Sequence, residues 1–232
     1  MFGDSLAFTL GMGLSIDSVR HYGVKEWSEA TLGCDLDPTL TARILGQVQP
    51  AAPGCPAWRT TWPAKVAADR PQVVVIFLGR WETVDHFYAG QWTWVGQPLW
   101  DRHVIDDLVE AIRLVSAHGA RVVLFTLPYS NPPVESADGT PYPENNPARV
   151  DAYNADVRAA VRRAGPVASV VDLYKILDPG GHYQGTFDGV AVRTPDAIHF
   201  TLQGGEWLQA RVLPALAAAG LAAAAAGHPP PR

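Results

Sequence analysis

Three apolar runs, each preceded by a helical pattern, constrain the fold of this chain most strongly. The first covers residues 72–78, Gln-Val-Val-Val-Ile-Phe-Leu, and follows a proline that ends the preceding helix. A continuous β-branched and aromatic run is typical of a strand buried on both faces. The alternation is formed by predicted helices over 6–14, 62–70, 101–118 and 148–163 and by predicted strands over 72–78, 121–126 and 167–172.

This alternation predicts an α/β protein with a doubly wound, flavodoxin-like parallel sheet that is flanked by helices. Ligands of such sheets bind at the carboxyl ends of the strands. The 232 residues, 47% hydrophobic and 18% charged, suit a single globular domain, which we place at residues 1–220. Residues 221–232 are rich in Ala and Pro and are expected to form a disordered tail.

Net charge and hydropathy exclude several classes of partner. A formal charge of −5 gives no basic footprint for nucleic acid or for an anionic membrane surface. We find no signal peptide and no membrane span; the nearest candidate, residues 212–226, is short and is interrupted by Pro214 and Gly220. As given, the chain is expected to be soluble.

Near the start of the chain, Gly3-Asp4-Ser5 precedes an apolar run that reads as a helix. A serine at a helix N-terminus exposes its hydroxyl beside free N–H groups, which favour a developing alkoxide or oxyanion. The common alternative is an Asp-Ser cap on an ordinary helix, and for the tripeptide alone that alternative is favoured.

Near the other end, Asp196 stands three residues before His199. At this spacing Asp196 can accept the Nδ1–H of the imidazole, which leaves Nε2 free to take a proton from a serine hydroxyl. A loop aspartate that caps the following helix, beside a locally satisfied histidine, is an equally good interpretation of this pair alone.

Together, Gly3-Asp4-Ser5 and the Asp196-x-x-His199 pair resemble the first and last blocks of the SGNH/GDSL hydrolase superfamily. The chain looks most similar to the C-terminal SGNH domain of bacterial acyltransferase-3 membrane proteins. The stretches that carry this closer resemblance are Leu78-Gly79-Arg80-Trp81-Glu82, Asp151-Ala152-Tyr153-Asn154, Asp188-Gly189-Val190-Ala191-Val192-Arg193-Thr194 and His199-Phe200-Thr201-Leu202-Gln203-Gly204-Gly205-Glu206-Trp207-Leu208.

The resemblance implies a three-layer SGNH hydrolase fold and a Ser5-His199-Asp196 triad that works through an acyl-enzyme. It also places the oxyanion hole at the N–H groups of Ser5 and Gly33. The third block departs from the family: Gly79-Arg80-Trp81-Glu82 stands where Gly-x-Asn-Asp is usual, so Arg80 and Trp81 are the remaining candidate donors. Loss of one donor typically lowers turnover by about 10²–10³.

We expect the remaining members of these blocks, Asp4, Gly79 and Glu82, to contact the substrate. The segment 81–100 adds four tryptophans, Trp81, Trp92, Trp94 and Trp100. They could form an aromatic platform for a sugar ring, with Trp92 and Trp94 as substrate-binding residues, or a lid that packs on the core. The loop 128–147 is a second candidate rim.

A further departure concerns the first strand. In the family a central strand leads into the Gly-Asp-Ser turn, whereas only Met1 and Phe2 precede Gly3 here. The strand is therefore expected to be truncated, and either the natural protein begins upstream or the chain is a fragment. An unfilled position would leave backbone groups of two neighbouring strands unpaired.

Cys34 and Cys55 enclose a loop rich in Pro, Gly and Thr, which is compatible with a disulfide or with two free thiols. The resemblance favours the disulfide, because acyltransferase-linked SGNH domains lie outside the cytoplasm, where disulfides persist. It likewise implies an extracytoplasmic location in the cell envelope.

No cofactor or metal is predicted, because the seven histidines are scattered and the two cysteines lack zinc-ligand spacing.

Two functions follow from the sequence. The first is serine-dependent acyl-ester chemistry, either hydrolysis or O-acyl transfer, commonly of acetyl, on a carbohydrate or cell-surface glycan. Its partners would be the acyl ester or glycan and an upstream membrane acyltransferase domain. The second is a catalytically degenerate module that binds glycan or serves as an accessory domain of a membrane acyltransferase, which the altered third block and the short first strand favour.

Overall fold

The computed structural model describes residues 1–51 and 54–227. Through residue 93 its elements are β1 (Phe2–Gly3), α1 (Ser5–Leu14), α2 (Ser18–Tyr22), β2 (Thr41–Ile44), β3 (Gln47–Pro50), α3 (Trp58–Asp69), β4 (Val73–Phe77), β5 (Asp85–Tyr88) and β6 (Gln91–Thr93). The remainder forms α4 (Pro98–Ser116), β7 (Arg121–Phe125), α5 (Pro147–Ala164), β8 (Ala168–Val171), α6 (Leu173–Leu177), β9 (Thr186–Phe187), β10 (Val190–Ala191) and α7 (Leu202–Ala225).

The main sheet is parallel, with strand order β1-β4-β7-β8. Its two longest strands are the predicted apolar runs, and their central residues are almost fully buried, since helices cover both faces. One helical layer is formed by α1 and α7, and the other by α3, α4 and α5. The predicted α/β fold with a helix-flanked parallel sheet is confirmed.

A second sheet was not anticipated from the sequence. It is antiparallel, has strand order β3-β2-β5-β6, and is built from the loop between the two cysteines and from part of the tryptophan-rich segment. Arg43 of β2 and Arg149 of α5 both pair with the buried Asp85 of β5, at 2.8 Å and 2.6 Å. Ion pairs and a very small apolar cluster thus anchor this sheet, which explains why apolar periodicity did not reveal it.

The first strand exists, although it is short. Phe2 pairs with Ile76 and Gly3 with Phe77 of β4, so the truncated first strand still joins the parallel sheet. On its other side, β1 is hydrogen-bonded to the segment 27–31: the N–H groups of Glu29 and Thr31 donate to Met1 and Gly3 at 2.8 Å and 2.9 Å. Strand β1 is therefore hydrogen-bonded on both sides.

The last helix continues past the predicted domain end at residue 220. Helix α7 reaches Ala225, and Ala223 is completely buried, so residues 221–225 are folded and not part of a tail. Residues 228–232 of the predicted tail lie outside the described residues. By length and composition α7 could span a membrane, with a mean hydropathy of 1.4 over its most apolar window. Here it packs on α1 and the sheet.

Candidate active site

Ser5 is placed by the tight turn that joins β1 to α1. Asp4 caps the helix, its carboxylate accepting the N–H of Leu6 at 2.8 Å, and Ser5 is the first helical residue. Gly3 has φ +150°, and a Cβ there would lie 1.9 Å from the carbonyl oxygen of Phe77, so only glycine fits beside β4. Half-buried Ser5 therefore lies at the carboxyl end of the sheet, where α/β proteins bind ligands.

His199 is placed by a turn that Asp196 organises. Oδ1 of Asp196 accepts the main-chain N–H groups of Ile198 and His199 and the hydroxyl of Thr194. Ala197 takes a left-handed conformation with φ +57°, which reverses the chain between Asp196 and His199. The main chain thus folds back at Asp196 and brings His199 next to its carboxylate.

Ser5, His199 and Asp196 form a hydrogen-bonded line. Nε2 of His199 lies 2.8 Å from Oγ of Ser5, and Nδ1 lies 2.6 Å from Oδ2 of Asp196. This is the geometry in which an imidazole can take the serine proton while a carboxylate holds its other nitrogen. The two ends of the chain, far apart in sequence, meet at hydrogen-bond distance.

Asp196 is the anionic member of this line over a wide pH range. Partial burial opposes its ionisation, but hydrogen bonds from His199, Thr194 and the main chain outweigh that effect and hold the pKa of Asp196 well below its usual range. The carboxylate therefore stays charged in mildly acidic solution, where it can stabilise an imidazolium on His199.

Close contact between α1 and α7 sets the distance from Ser5 to His199. A Cβ at Gly13 would lie 2.5 Å from the Cα of Gly205, so the two backbones touch at these glycines. Gln209 of α7 donates to the carbonyls of Gly13 and Ile16 at 2.9 Å and 2.6 Å, which fixes the end of α1. Sequence reasoning missed these positioning residues; the glycine pair inside a helical pattern was the available signal.

The predicted oxyanion donors Ser5 and Gly33 lie on adjacent segments. As the first residue of α1, Ser5 has no intrahelical acceptor for its N–H. Gly33 lies two residues after Thr31, whose N–H donates to the carbonyl of Gly3. Gly33 is in the left-handed conformation, and its carbonyl accepts the N–H of Gly54 at 2.8 Å. A disulfide joins Cys34 to Cys55 beside this turn.

Arg80 lies in the wall of a small cavity of about 10 Å³, which is also lined by Leu6 and Ile198, the sequence neighbours of Ser5 and His199. Its guanidinium donates to the carbonyl of Glu144 at 3.0 Å and to Oδ1 of Asn145 at 2.5 Å. Burial lowers the pKa of Arg80, although neighbouring carboxylates oppose this change. The cation is thus held mainly by neutral oxygens, and it can add a further charged hydrogen bond toward the cavity.

Three residues expected to contact substrate are buried. Asp4 and Glu82 are 0% and 3% exposed, and a Cβ at Gly79 would lie 2.8 Å from the ring of Tyr153. The side chains of Asp4 and Glu82 are therefore not presented to solvent, and substrate contact by Asp4, Gly79 and Glu82 stays a prediction. Burial, reinforced by Asp35 and Asp4, raises the pKa of Glu82 well above its usual range.

The four tryptophans do not form one platform. Trp100 is buried in α4 and stacks on His86, whereas half-buried Trp92 lies on β6 beneath the guanidinium of Arg43, 4.3 Å from its ring centre. Trp94 faces Arg149 in the same way at 5.2 Å. The buried indole N–H of Trp81 has no acceptor among the described residues, so Trp81 keeps a free donor.

A group of possible metal ligands occurs elsewhere in the described chain. Asp37, His103 and Asp107 bring their ligand atoms within 4.8 Å of one another. Arg59 donates to Asp107 at 2.6 Å, and His103 pairs with Asp37 at 2.9 Å. Burial opposes protonation of His103, but Asp37 and Asp107 outweigh it and raise the pKa of the imidazole. These carboxylates thus already have cationic partners.

Solved structures that share this helix-flanked parallel sheet include proteins described as esterases. The chain belongs to a family described as a protein of unknown function, DUF459, which matches residues 51–215. No curated protein matches the chain.

Three solved structures illustrate the likeness in fold. TesA is 18% identical, with a TM-score of 0.55 and coverage of 94% of this chain and 97% of that one. A carbohydrate acetylesterase from Sinorhizobium meliloti is 12% identical, with a TM-score of 0.56 and coverage of 95% and 96%. An acetyl xylan esterase is 15% identical, with a TM-score of 0.56 and coverage of 93% and 98%. At these identities the likeness shows the fold.

Proposed function

We propose that the protein is a serine esterase that removes small acyl groups, acetyl above all, from carbohydrate. The observation that carries the proposal is the line from Ser5 through His199 to Asp196, with distances of 2.8 Å and 2.6 Å. Ser5 attacks the ester carbonyl while His199 takes its proton, and the alcohol leaves with that proton. Water then attacks the acyl-enzyme, His199 again acting as base.

The oxyanion that forms on the carbonyl needs hydrogen-bond donors. The N–H groups of Ser5 and Gly33 are the first two in this proposal, and the α1 N-terminus adds its partial positive charge. Arg80 takes the place of the asparagine that the related blocks carry, because its guanidinium lies in the wall of the adjacent cavity. Trp81 is the other available donor.

The acyl group is small in this proposal because the cavity beside the triad is small. Its volume of about 10 Å³ is comparable to the space that one water molecule needs. A space of this size favours the smallest acyl groups, because a longer chain would have to displace Leu6, Leu127 or Ile198. The solved neighbours described as acetyl esterases support this choice.

Hydrolysis is favoured over transfer because the triad is open to solvent. The side chains of His199 and Asp196 are 29% and 46% exposed, so water can reach the acyl-enzyme. A transferase must exclude water from this intermediate. The acyltransferase-3 link, an upstream membrane domain and an extracytoplasmic location stay predictions from the sequence.

The test is hydrolysis of a chromogenic acetyl ester and of acetylated xylan by the parent protein and by Ser5→Ala and His199→Ala. Each variant should lose at least about 10³-fold in kcat/KM while its circular dichroism spectrum is unchanged. Thr9→Ser, a conservative change one helical turn from Ser5, is the matched control. Equal rates in parent and variants would overturn the proposal, and a folded, inactive parent that binds xylan would favour a glycan-binding module.

A further inference from the structure

Arg193 is a buried cation that lies three residues before Asp196. Only 5% of the residue is exposed, and in the described part of the chain its side-chain hydrogen bonds go to main-chain carbonyls and not to a carboxylate. Burial lowers the pKa of its guanidinium to about 10, although Asp178, Tyr183 and Asp196 oppose this change. Because a buried charge is costly unless its N–H groups are used, the contacts of this side chain indicate what it holds in place.

The guanidinium connects the turn that carries His199 to the segment that follows β7. One terminal nitrogen donates to the carbonyl of Ile198 at 2.7 Å, and the other donates to the carbonyl of Tyr129 at 3.3 Å. The same group lies over the ring of Phe200, 4.3 Å from its centre. Ile198 and Phe200 are the sequence neighbours of His199. Arg193 therefore contacts the residue on each side of the candidate base.

The peptide group between Ile198 and His199 is held at both ends. Its carbonyl accepts from Arg193, and its N–H, which belongs to His199, donates to Oδ1 of Asp196 at 3.1 Å. Among the residues that the structure describes, no main-chain N–H donates to this carbonyl, so Arg193 supplies its donor. A planar peptide group that is bonded at its oxygen and at its nitrogen is restrained from rotating. Its orientation in turn sets the direction of the His199 side chain.

Tyr129, the other residue that Arg193 holds, is itself fixed. Its N–H donates to Asp178 at 2.8 Å while its carbonyl accepts from Arg193. Asp178 is 2% exposed, and burial raises its pKa to about 7, although the charge of Arg193 opposes this shift. Two positions further on, the N–H of Asn131 donates to the carbonyl of Ala197 at 3.2 Å. The turn is therefore tied to the segment after β7 by a side chain and by the main chain.

We infer that Arg193 is a positioning residue for the proposed esterase, and the inference rests on that function. By fixing the carbonyl of Ile198, its guanidinium keeps Nε2 of His199 at hydrogen-bond distance from Oγ of Ser5. Loss of this bond frees the peptide group to turn and moves the imidazole away from Ser5. A displacement of about 1 Å can lower turnover by about 10². Substrate affinity should change little, because Arg193 is buried.

The kinetic test replaces Arg193 by methionine, which has a similar length and no side-chain N–H group. On a soluble acetyl ester, kcat of Arg193→Met should fall by at least about tenfold while KM changes by less than about threefold. Arg193→Lys should recover part of the lost kcat, because an ammonium can still donate to the carbonyl of Ile198. Arg158→Met is the matched control: it removes an arginine that pairs with Asp172 at 2.8 Å, so it should lower the melting temperature without lowering kcat.

A second variant keeps the test valid where Arg193→Met does not fold. Arg193→Met combined with Asp178→Asn removes both buried charges, and asparagine can still accept the N–H of Tyr129. This double variant should fold and show the same loss of kcat.

A measurement that needs no turnover separates the role of Arg193 from the proposed function. The proton between Nδ1 of His199 and Oδ2 of Asp196 should give a far-downfield proton resonance in the parent, which Asp196→Asn removes. In Arg193→Met this proton should exchange with water at least about tenfold faster, whereas Arg158→Met should leave its exchange unchanged. If the parent shows the resonance but hydrolyses no ester, the proposed function fails, and faster exchange in Arg193→Met would still support the role of Arg193.

Parent-like kcat and proton exchange in Arg193→Met, or in its double variant with Asp178→Asn, would overturn the inference. An equal loss of kcat in Arg158→Met would also overturn it, because the effect would then be one of stability alone. A rise in KM with kcat unchanged would do the same, since Arg193 would then act on substrate binding.

Discussion

His199 is held from both sides, by Asp196 at Nδ1 and by Ser5 at Nε2. The two contacts come from different parts of the fold, since Ser5 belongs to the β1–α1 turn and Asp196 to the loop before α7. Asp4 and Glu82 are buried nearby, and burial raises the pKa of both carboxyl groups. Two consequences at single residues can be measured.

Asp196→Asn should lower kcat/KM by about 10²–10⁴, and by less than His199→Ala does. An amide leaves the imidazole in place but no longer stabilises its protonated form or fixes its tautomer. Initial rates on a soluble acetyl ester across a range of pH would measure this. An Asp196→Asn protein as active as the parent would show that the carboxylate is only a cap for its turn.

The free energy of unfolding of Asp4→Asn should differ from that of the parent protein by an amount that depends on pH. Burial raises the pKa of Asp4 from 3.8 to about 6, although the N–H of Leu6 opposes this shift. The stability that neutral Asp4 provides is thus fully present below the unfolded value of 3.8 and is lost as the pH rises through about 6. Asparagine keeps a capping oxygen and stays neutral at every pH.

Urea denaturation should therefore find Asp4→Asn more stable than the parent near pH 8, by up to about 3 kcal/mol, and equal to it near pH 4. A difference that is the same at both pH values would mean that ionisation of Asp4 is not responsible. Ser18→Ala, which removes a buried hydroxyl far from the motif, should show no such dependence on pH.

Among the structural elements, the loop that carries Gly33 is held by more than its own turn. The Cys34–Cys55 disulfide closes a loop with a sequence separation of 21, and Gly54 donates to Gly33 in the same region. The second sheet grows out of this loop, because β2 and β3 lie between the two cysteines. A candidate oxyanion donor is thus fixed by a covalent bond and by a sheet.

Replacing both cysteines by serine should cost about 3 kcal/mol in the free energy of unfolding, because the open loop gains conformational entropy in the unfolded chain. Turnover should also fall, since the turn at Gly33 loses one of its two ties. Denaturation and kinetics of the double variant, beside the parent treated with reductant, would measure both effects. Unchanged turnover in the folded double variant would place Gly33 outside the oxyanion hole.

The helices could be predicted because their apolar residues repeat with a clear period, as in Val104, Leu108 and Val115 of α4, all of which are buried. The two longest strands of the parallel sheet could be predicted because they are continuous apolar runs. The contact between Asp196 and His199 could be anticipated because the two residues are only three positions apart in the sequence. The second sheet could not be predicted, because ion pairs such as Arg43–Asp85 join residues far apart in sequence. Burial of Asp4 and Glu82 likewise depends on tertiary packing.

At the scale of the whole molecule, the candidate catalytic groups come together at one end of the parallel sheet. Its carboxyl end brings together β1, the loop before α7 and the segment after β4, which carry Ser5, His199 and Arg80. Strand β1 pairs with β4 and leads directly into Ser5, so the position of Ser5 depends on the pairing of β1 in the sheet.

The most direct measurement of the central claim is covalent labelling of Ser5 with a fluorophosphonate, followed by peptide mass mapping. The reagent reports an activated serine and requires no knowledge of the natural ester. The parent protein should gain one phosphonyl group, on the peptide containing Ser5, and His199→Ala should label at least about 10³-fold more slowly. An unlabelled Ser5 in the folded parent, or equal labelling in His199→Ala, would contradict the account.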